Sequence, residues 1–222
     1  MPSTSHASLR APNPDTAYPL PHAKRVVFLK PHITRPNISV GDFTYYDSPT
    51  DPERFQDDNV LYHYPGQGDR LIIGKYCALA SGVTFIMNGA NHRMDGVSTF
   101  PFPIFGEAWG AHMDLLSDLP SRGDTHVGSD VWLGLDALVM PGVTIGDGAI
   151  IASRAVITTD VPPYAVVAGN PARVVQERFN AEDVQRLLKA AWWDWPVETI
   201  APHVRALMSG NVDTIANISK GL

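Results

Sequence analysis

The sequence contains very little cysteine. Its 222 residues include one, Cys77, which cannot form a disulfide within the chain. This excludes the disulfide-rich secreted folds and predicts a reducing compartment, the cytoplasm. Cys77 itself is predicted to be a small buried hydrophobic residue. The chain also has no apolar run of about 18 residues and no secretory-type apolar segment near its N-terminus, so we expect no membrane span.

Basic residues and familiar catalytic motifs are scarce as well. Lysine and arginine total 17 against 23 acidic residues, which gives a formal net charge of −6. That balance supplies no basic stripe for a phosphate backbone, so nucleic acid is not a predicted partner. The sequence has no Gly-x-Ser-x-Gly elbow and no glycine-rich phosphate loop ending in Lys-Ser or Lys-Thr. Serine hydrolases of the α/β class and P-loop nucleotide hydrolases are therefore excluded.

What the sequence does contain is a ladder of apolar residues with a spacing of six. Two series share this spacing: Val127, Leu133, Val139, Ile145, Ile151 and Ile157, and, four positions later, Val131, Ala137, Val143, Ala149, Ala155 and Val161. A period of six fits neither an α-helix nor an open strand. It is typical of a β-helix of hexapeptide repeats, in which each short strand forms one side of a prism. The predicted fold is therefore mainly β.

The ladder starts earlier in the chain and is interrupted. Three earlier residues keep the same step: Ile73, Leu79 and Phe85. The register is then lost between about Met87 and Asp124, and a connection of this length is uncommon unless it is functional or disordered. The segment contains four large aromatic residues: Phe100, Phe102, Phe105 and Trp109. Because such a composition argues against disorder, we predict an ordered functional loop.

These features predict three regions. Residues 1–25, rich in proline, form an extended N-terminal arm. Residues 26–175 form the β-helix domain, with the inserted loop at 87–125. Residues 176–222 form a C-terminal helical segment, because apolar residues fall at helical spacing after Asn180, a predicted helix cap. We expect these helices to cover one open end of the coil stack, whose strand edges are otherwise unpaired.

The strongest candidate for chemistry is His92, in the segment NGANHRMDG, where the ladder breaks off. Histidine titrates near neutral pH and can take a proton from a hydroxyl group during nucleophilic attack. From spacing alone, a histidine that only stabilises a turn is the more ordinary interpretation. His63, His92 and His126 are the one conceivable zinc-binding set, but no paired Cys or His spacing supports it, so no metal is predicted.

The run FIMNGANHRMDG, followed by STFPF, is much more specific than the hexapeptide ladder around it. With the ladder segments GDTHVGSDVWLG and PGVTIGDGAIIASRAVITTDVPPYAVVAGNPARVV, it resembles the hexapeptide-repeat xenobiotic acetyltransferases. That family includes the type B chloramphenicol acetyltransferases and the streptogramin A (virginiamycin) acetyltransferases. The resemblance runs from about Asn13 to Trp195, nearly the whole chain.

The resemblance implies a left-handed parallel β-helix and a homotrimer with active sites between subunits. It implies acetyl-CoA as the donor, a hydroxyl group of an antibiotic or other xenobiotic as the acceptor, no metal, and His92 as the catalytic general base. The acceptor-binding residues that it implies are Tyr45, Tyr64, Asn91, Met94 and Trp132. The CoA-binding residues that it implies are Trp132, Ser153, Arg154, Thr158, Thr159, Asn170 and Arg173.

Two residues depart from the family pattern. Thr159 stands where a basic residue is common, and Arg154 stands where glycine is common, so Arg154 is the alternative partner for a CoA phosphate. Three other functions stay open at this point. The first is an O-acetyltransferase for a sugar or another endogenous alcohol, which would use the same base and donor. The others are a β-helix scaffold without catalysis and a zinc-dependent lyase or hydratase.

Overall fold

Residues 11–117 and 119–222 are described in a computed structural model of the chain. The strands among them are β1 (Val26–Phe28), β2 (Ile38–Val40), β3 (Tyr45–Asp47), β4 (Val60–Leu61), β5 (Leu71–Ile73), β6 (Ala78–Leu79), β7 (Thr84–Ile86), β8 (Thr125–Val127), β9 (Trp132–Leu133), β10 (Leu138–Val139), β11 (Thr144–Ile145), β12 (Ile150–Ile151), β13 (Val156–Ile157), β14 (Ala165–Gly169) and β15 (Ala172–Glu177). The α-helices are α1 (Phe55–Asp58), α2 (Glu107–Gly110), α3 (Ala181–Ala190), α4 (Val197–Leu207) and α5 (Val212–Lys220). None of the described helices is both long and apolar enough to cross a lipid bilayer.

Parallel pairing arranges most of these strands into three stacked sheets. One sheet has the order β2-β5-β8-β11, another has the order β4-β7-β10-β13, and the third contains β3-β6-β9-β12-β14 as its parallel part. Val127 pairs with Ile145 and Leu133 with Ile151, so residues three hexapeptides apart stack on one another. Three stacked parallel sheets are typical of the left-handed β-helix of hexapeptide repeats, and the predicted fold class is confirmed.

The apolar series fill the interior of the prism. Leu79, Leu133 and Ile151 pair in successive coils of the third sheet and are all fully buried. Burial of one such side chain is worth about 1.5–3 kcal/mol relative to exposure, so each added coil extends the stabilising core. Cys77 is buried in the same core, as predicted.

The inserted segment leaves the β-helix after β7 and returns at β8. The coils on either side of it stay in register, because Ile73 pairs directly with Val127. Between them the chain forms the helix α2 and three 3-10 turns, at Asn88–Ala90, Phe102–Phe105 and Met113–Leu116. The segment is therefore an ordered excursion from an otherwise continuous stack.

The sequence predicts that the C-terminal helices cover one end of the stack. They lie along its side instead. The ring of Trp192 packs 4.9 Å from that of Tyr76 in the second coil, and the ring of Phe179 packs 5.6 Å from that of Tyr164 near the last strand pair. At the two ends of the third sheet, antiparallel strands extend the pairing instead, because β1 pairs with β3 and β15 pairs with β14. These strands satisfy backbone N–H and C=O groups at both edges of that sheet.

The predicted N-terminal arm falls partly outside the described residues, which start at residue 11. From there to β1 the chain follows turns, and Tyr18 packs against the interior cluster. At the other boundary, β15 continues to Glu177 and α3 begins at Ala181. Asn180 caps α3, because its side chain accepts a hydrogen bond from the backbone of the first turn.

Candidate active site

The chain after β7 turns sharply and presents His92 to solvent. The 3-10 turn Asn88–Ala90 is tied to the preceding coil, because the N–H of Gly89 donates to the carbonyl oxygen of Tyr62 (3.1 Å). A Cβ atom on Gly89 would lie 2.2 Å from that oxygen and 2.7 Å from the ring of Tyr64. Only glycine fits at this approach, so the local sequence Asn-Gly-Ala determines where His92 emerges.

A hydrogen bond within the inserted segment determines the tautomer of His92. Its Nδ1 lies 2.8 Å from the carbonyl oxygen of Thr99. A carbonyl oxygen can only accept, so Nδ1 carries the proton and donates. In the neutral ring, Nε2 then keeps a lone pair, and the exposed side chain can present it to a substrate.

Two cavities meet at this histidine. The larger has a volume of about 1160 Å³ and is walled mainly by the inserted segment. The smaller, of about 380 Å³, is bounded on the β-helix side by Met140, Pro141 and Thr158. Within the described part of the chain, His92 is the only titratable side chain that lines both cavities. A base at this position can act on groups held in either one.

The wall of the larger cavity is apolar and aromatic. Phe102 meets Trp109 edge to face with ring centroids 5.2 Å apart, and both line the cavity. Phe100 lines it too and stacks on Phe105 at 5.1 Å. Between 43% and 57% of the surface of each of these four residues is exposed in the single chain. Contiguous exposed aromatic residues mark surfaces that bind a ligand or another protein.

Three of the five predicted acceptor-binding residues lie at these cavities. Tyr64 lines the larger cavity, Met94 the smaller one, and Asn91 both. The amide nitrogen of Asn91 donates to Oδ1 of Asn88 (3.1 Å) and to the carbonyl oxygen of Pro120 (2.7 Å). Both of its protons are thus used within the chain, which leaves the side-chain carbonyl oxygen of Asn91 to meet a ligand.

The other two predicted acceptor-binding residues, Tyr45 and Trp132, lie elsewhere. They project from β3 and β9, are 37% and 54% exposed, and line neither cavity at His92. The described part of a single chain therefore does not bring them to the histidine. A role for Tyr45 and Trp132 at the same site requires a second copy of the chain, and it stays a prediction.

The predicted CoA-binding residues divide between two corners of the β-helix. Thr158 lines the smaller cavity beside the histidine, and Thr159 follows it as an exposed residue. Ser153 and Arg154 follow β12, and Asn170 follows β14. Because β12 and β14 pair, Ser153, Arg154 and Asn170 lie at one shared corner in successive coils. One chain therefore places Thr158 at the His92 site and sets the other corner apart from it.

Two arginines among the predicted CoA-binding residues are exposed and keep donors for an anion. Arg154 makes a surface ion pair with Asp136 (3.4 Å). Nη1 of Arg173 donates to the carbonyl oxygen of Ala172 (2.7 Å). A guanidinium group has five N–H donors, so each contact leaves several for phosphate oxygens. Phosphate binding by Arg154 or Arg173 stays a prediction.

Two other chemistries raised by the sequence do not match the described residues. In residues 11–117 and 119–222 of a single chain, no three or more His, Cys, Asp or Glu side chains lie together where they could hold a metal ion, and this includes His63, His92 and His126. Burial raises the pKa of the Cys77 thiol to about 12. A thiol that is protonated at neutral pH is a poor nucleophile.

Among the polar residues at or beneath the site that were not predicted are Gln67, His112 and Asn88. Gln67 and His112 line the larger cavity. The side chain of Asn88 is buried at the start of the turn. Its place in the same NGANH segment as His92 was the one sequence feature that could have indicated a role at the site. Gln67 reaches the cavity through a tertiary contact that no periodic pattern records.

Comparison with known proteins bears on the fold and on the chemistry. Residues 124–159 match the family described as bacterial transferase hexapeptide (six repeats). A probable macrolide acetyltransferase from Lysinibacillus sphaericus is 50% identical over 163 residues, which cover 73% of this chain and 90% of that protein. A virginiamycin A acetyltransferase from Staphylococcus aureus is 46% identical over 204 residues, 92% of each chain. The chain belongs to the hexapeptide-repeat acetyltransferases.

A third relative of this hexapeptide-repeat acetyltransferase is a chloramphenicol acetyltransferase from Agrobacterium fabrum. It is 42% identical over 190 residues, which cover 85% of this chain and 90% of that protein. The family resemblance seen in the motifs is thereby confirmed. The matched hexapeptides at 124–159 form coils of the acetyltransferase, whereas His92 and most of the larger cavity come from the inserted segment before them.

Proposed function

We propose that this acetyltransferase transfers the acetyl group of acetyl-CoA to a hydroxyl group of an antibiotic or similar xenobiotic, with His92 as general base. Its relatives are named for chloramphenicol, virginiamycin A and macrolides, and all three names specify acetyl transfer. The aromatic wall of the larger cavity supports an acceptor with a large apolar surface. A simple sugar offers mostly hydroxyl groups and makes a poorer match to that wall.

The observation that carries the proposal is the position of His92 between two cavities. The larger would hold the acceptor and the smaller would hold the thioester end of acetyl-CoA, near Thr158. The Nδ1–H contact with Thr99 leaves Nε2 as the proton acceptor. Holding both substrates against one base removes much of the entropic cost of a two-substrate reaction.

The reaction is a direct transfer in this proposal. Nε2 of His92 takes the proton of the acceptor hydroxyl while the hydroxyl oxygen forms a bond to the thioester carbonyl carbon. The tetrahedral intermediate then collapses, the carbon–sulfur bond breaks, and the imidazolium returns the proton to the thiolate of CoA. The products are the acetyl ester and free CoA. General acid–base action of this kind contributes about 10²–10⁴-fold to the rate.

A homotrimer with sites between subunits completes the proposal. Tyr45 and Trp132 are exposed on a sheet away from His92, and an intersubunit site would bring them from one copy to the histidine of the next. The exposed aromatic residues of the inserted segment would gain a second wall in the same way. In such an assembly Ser153, Arg154, Thr159, Asn170 and Arg173 would follow the CoA chain away from Thr158.

A thiol-release assay tests the proposal. Purified protein is mixed with acetyl-CoA and, in turn, chloramphenicol, a streptogramin A, a macrolide and simple sugars, with His92→Ala as the control. We expect CoA release with at least one antibiotic and its loss in the control. Release with sugars alone would support the alternative of an endogenous alcohol as acceptor. Absence of CoA binding and of release would contradict the proposed donor and its transfer.

A further inference from the structure

Beneath the His92 turn lies a buried amide whose hydrogen-bonding positions are all used. Nδ2 of Asn88 donates to Oδ2 of Asp69 (2.9 Å) and to the carbonyl oxygen of Gly123 (2.8 Å). Oδ1 of Asn88 accepts from the backbone N–H of Arg122 (2.8 Å) and from Nδ2 of Asn91 (3.1 Å). Two donated and two accepted bonds are the full capacity of an amide. Only one orientation of the Asn88 side chain satisfies all four partners.

These contacts join both ends of the inserted segment at one point. Asn88 and Asn91 belong to its start, and residues 122–123 belong to its end. Asn91 also donates to the carbonyl oxygen of Pro120 (2.7 Å). The residue directly before His92 is therefore held twice, once by Asn88 and once by the returning chain.

A buried carboxylate holds Asn88 in turn. The side chain of Asp69 is 1% exposed, and its Oδ2 accepts from both the backbone N–H and Nδ2 of Asn88 (2.9 Å each). On the opposite side, Nε2 of His63 lies 3.0 Å from the backbone carbonyl oxygen of Asp69 and 3.8 Å from Oδ1. A buried polar group is stable only where its hydrogen bonds are made. Oδ1 of Asp69 has no hydrogen-bond partner among the described residues, so displacing Asn88 would remove both bonds that the carboxylate accepts through Oδ2.

We propose that Asn88, oriented by Asp69, is a positioning residue for His92. Neither Asn88 nor Asp69 is among the described residues that line the two cavities at His92. Neither is therefore placed to touch the acceptor or the acetyl donor. Their effect on the reaction passes through the backbone of residues 88–91 to the imidazole. The inference rests on the proposed role of His92 as base. Misplacement of a reacting group by about 1 Å can lower a rate about 10²-fold.

Substitutions at both residues, with a buried control, test this inference. Asn88→Ala removes all four side-chain contacts, Asp69→Ala removes the carboxylate, and Asp69→Asn keeps one oxygen that can accept from Asn88. The control is Asn59→Ala, because Asn59 is also buried and donates to Oη of Tyr46 (3.0 Å) and to the carbonyl oxygen of Val83 (2.8 Å). Full-length proteins are compared below the lowest melting temperature, with acetyl-CoA and chloramphenicol as substrates.

We expect Asn88→Ala and Asp69→Ala to lower kcat about 10–100-fold, while KM for acetyl-CoA changes less than about threefold. Asp69→Asn and Asn59→Ala should keep kcat within about threefold of the unsubstituted protein. A second readout does not depend on turnover. In ¹⁵N-histidine NMR spectra, His92, assigned by its absence in His92→Ala, should show a protonated Nδ1, and Asn88→Ala should shift it toward a mixture of tautomers.

Equal losses of kcat in Asn88→Ala and Asn59→Ala, with an unchanged His92 spectrum, would overturn the inference. If Asn88→Ala does not fold, the comparison of Asp69→Ala with Asp69→Asn tests the inference instead. Equal kcat values and equal His92 spectra in these two variants would overturn it. Failure of the proposed function looks different, since either the unsubstituted protein would release no CoA or His92→Ala would retain its activity. The His92 spectrum still reports whether Asn88 and Asp69 hold the imidazole.

Discussion

Nδ1 of His92 and the carbonyl oxygen of Thr99 are joined by a hydrogen bond of 2.8 Å across seven residues of the inserted segment. In the proposed mechanism, this bond holds the imidazole by the nitrogen that takes no part in proton transfer. In catalytic and metal-binding histidines, the partner of one ring nitrogen determines the chemistry of the other. The inserted segment therefore supplies the proposed base, His92, and its hydrogen bond to Thr99 leaves Nε2 as the ring nitrogen with a free lone pair.

The first prediction concerns the base itself. His92→Ala should lower kcat by about 10²–10⁴-fold, because the acceptor hydroxyl then loses its proton without help. His92 is exposed, so the melting temperature and the oligomeric state should not change. Steady-state CoA release and size-exclusion chromatography provide the measurements. An active variant, or one that loses its assembly, would contradict the assignment.

The second prediction concerns the close approach under the site. Gly89→Ala would place a Cβ atom 2.2 Å from the carbonyl oxygen of Tyr62, so the turn or the loop that follows β4 must move. Overpacking of this kind costs about 1–3 kcal/mol. We expect a lower melting temperature and a lower kcat. Gly110→Ala is the matched control, because nothing lies within 4 Å of a Cβ atom at Gly110. Equal behaviour of the two variants would refute the prediction.

The third prediction tests whether sites form between subunits. His92→Ala and Trp132→Ala should each be poorly active as a pure protein. When the two chains are unfolded together and refolded as mixed trimers, about a quarter of the sites should pair an intact His92 with an intact Trp132. CoA release should then rise well above that of either variant alone. A site within one subunit would give no such recovery, since every chain in the mixture carries one of the two substitutions.

The fourth prediction concerns Asp130, a partly buried acid beside Arg178. Burial raises the pKa of Asp130 to about 6 from 3.8, with Asp147 adding to the rise and Arg178, 3.9 Å away, opposing it. A carboxyl group with a raised pKa stabilises the fold below its unfolded pKa and loses that contribution as the pH rises through about 6. Asp130→Asn should therefore stabilise the protein at pH 7.5 and have little effect near pH 4.

The expected gain at pH 7.5 is about 1–2 kcal/mol, after allowance for a side chain that is 32% exposed. For a chain of this size, that is a rise in melting temperature of about 2–8 °C. Asparagine also suits the left-handed backbone at this position (φ 57°). Asp136→Asn is the control, since Asp136 has the same backbone geometry (φ 56°) but makes an exposed ion pair with Arg154. A gain that does not depend on pH would contradict the assigned cause.

The sequence by itself determined the β-helix and the location of the histidine. An apolar residue at every sixth position can be buried only if short strands stack, and Val127 does lie over Ile73 and under Ile145. The loss of that period after Phe85 marked the inserted segment, and the NGANH run within it contained the one candidate base. These features are local in the sequence, so they can be identified without a structure.

Only the tertiary structure decided what surrounds that histidine. Tyr45 and Trp132 lie on a sheet that does not line the His92 cavities. The C-terminal helices lie along the side of the stack and not at its end, where the sequence predicted them. The tertiary structure also brought Asp69 to Asn88, 19 residues further along the chain, beneath the turn. The physical reason is that these contacts depend on where loops and helices return to the coil stack. A hexapeptide period specifies which residues face the interior, but it carries no information about the path of the segments that leave it.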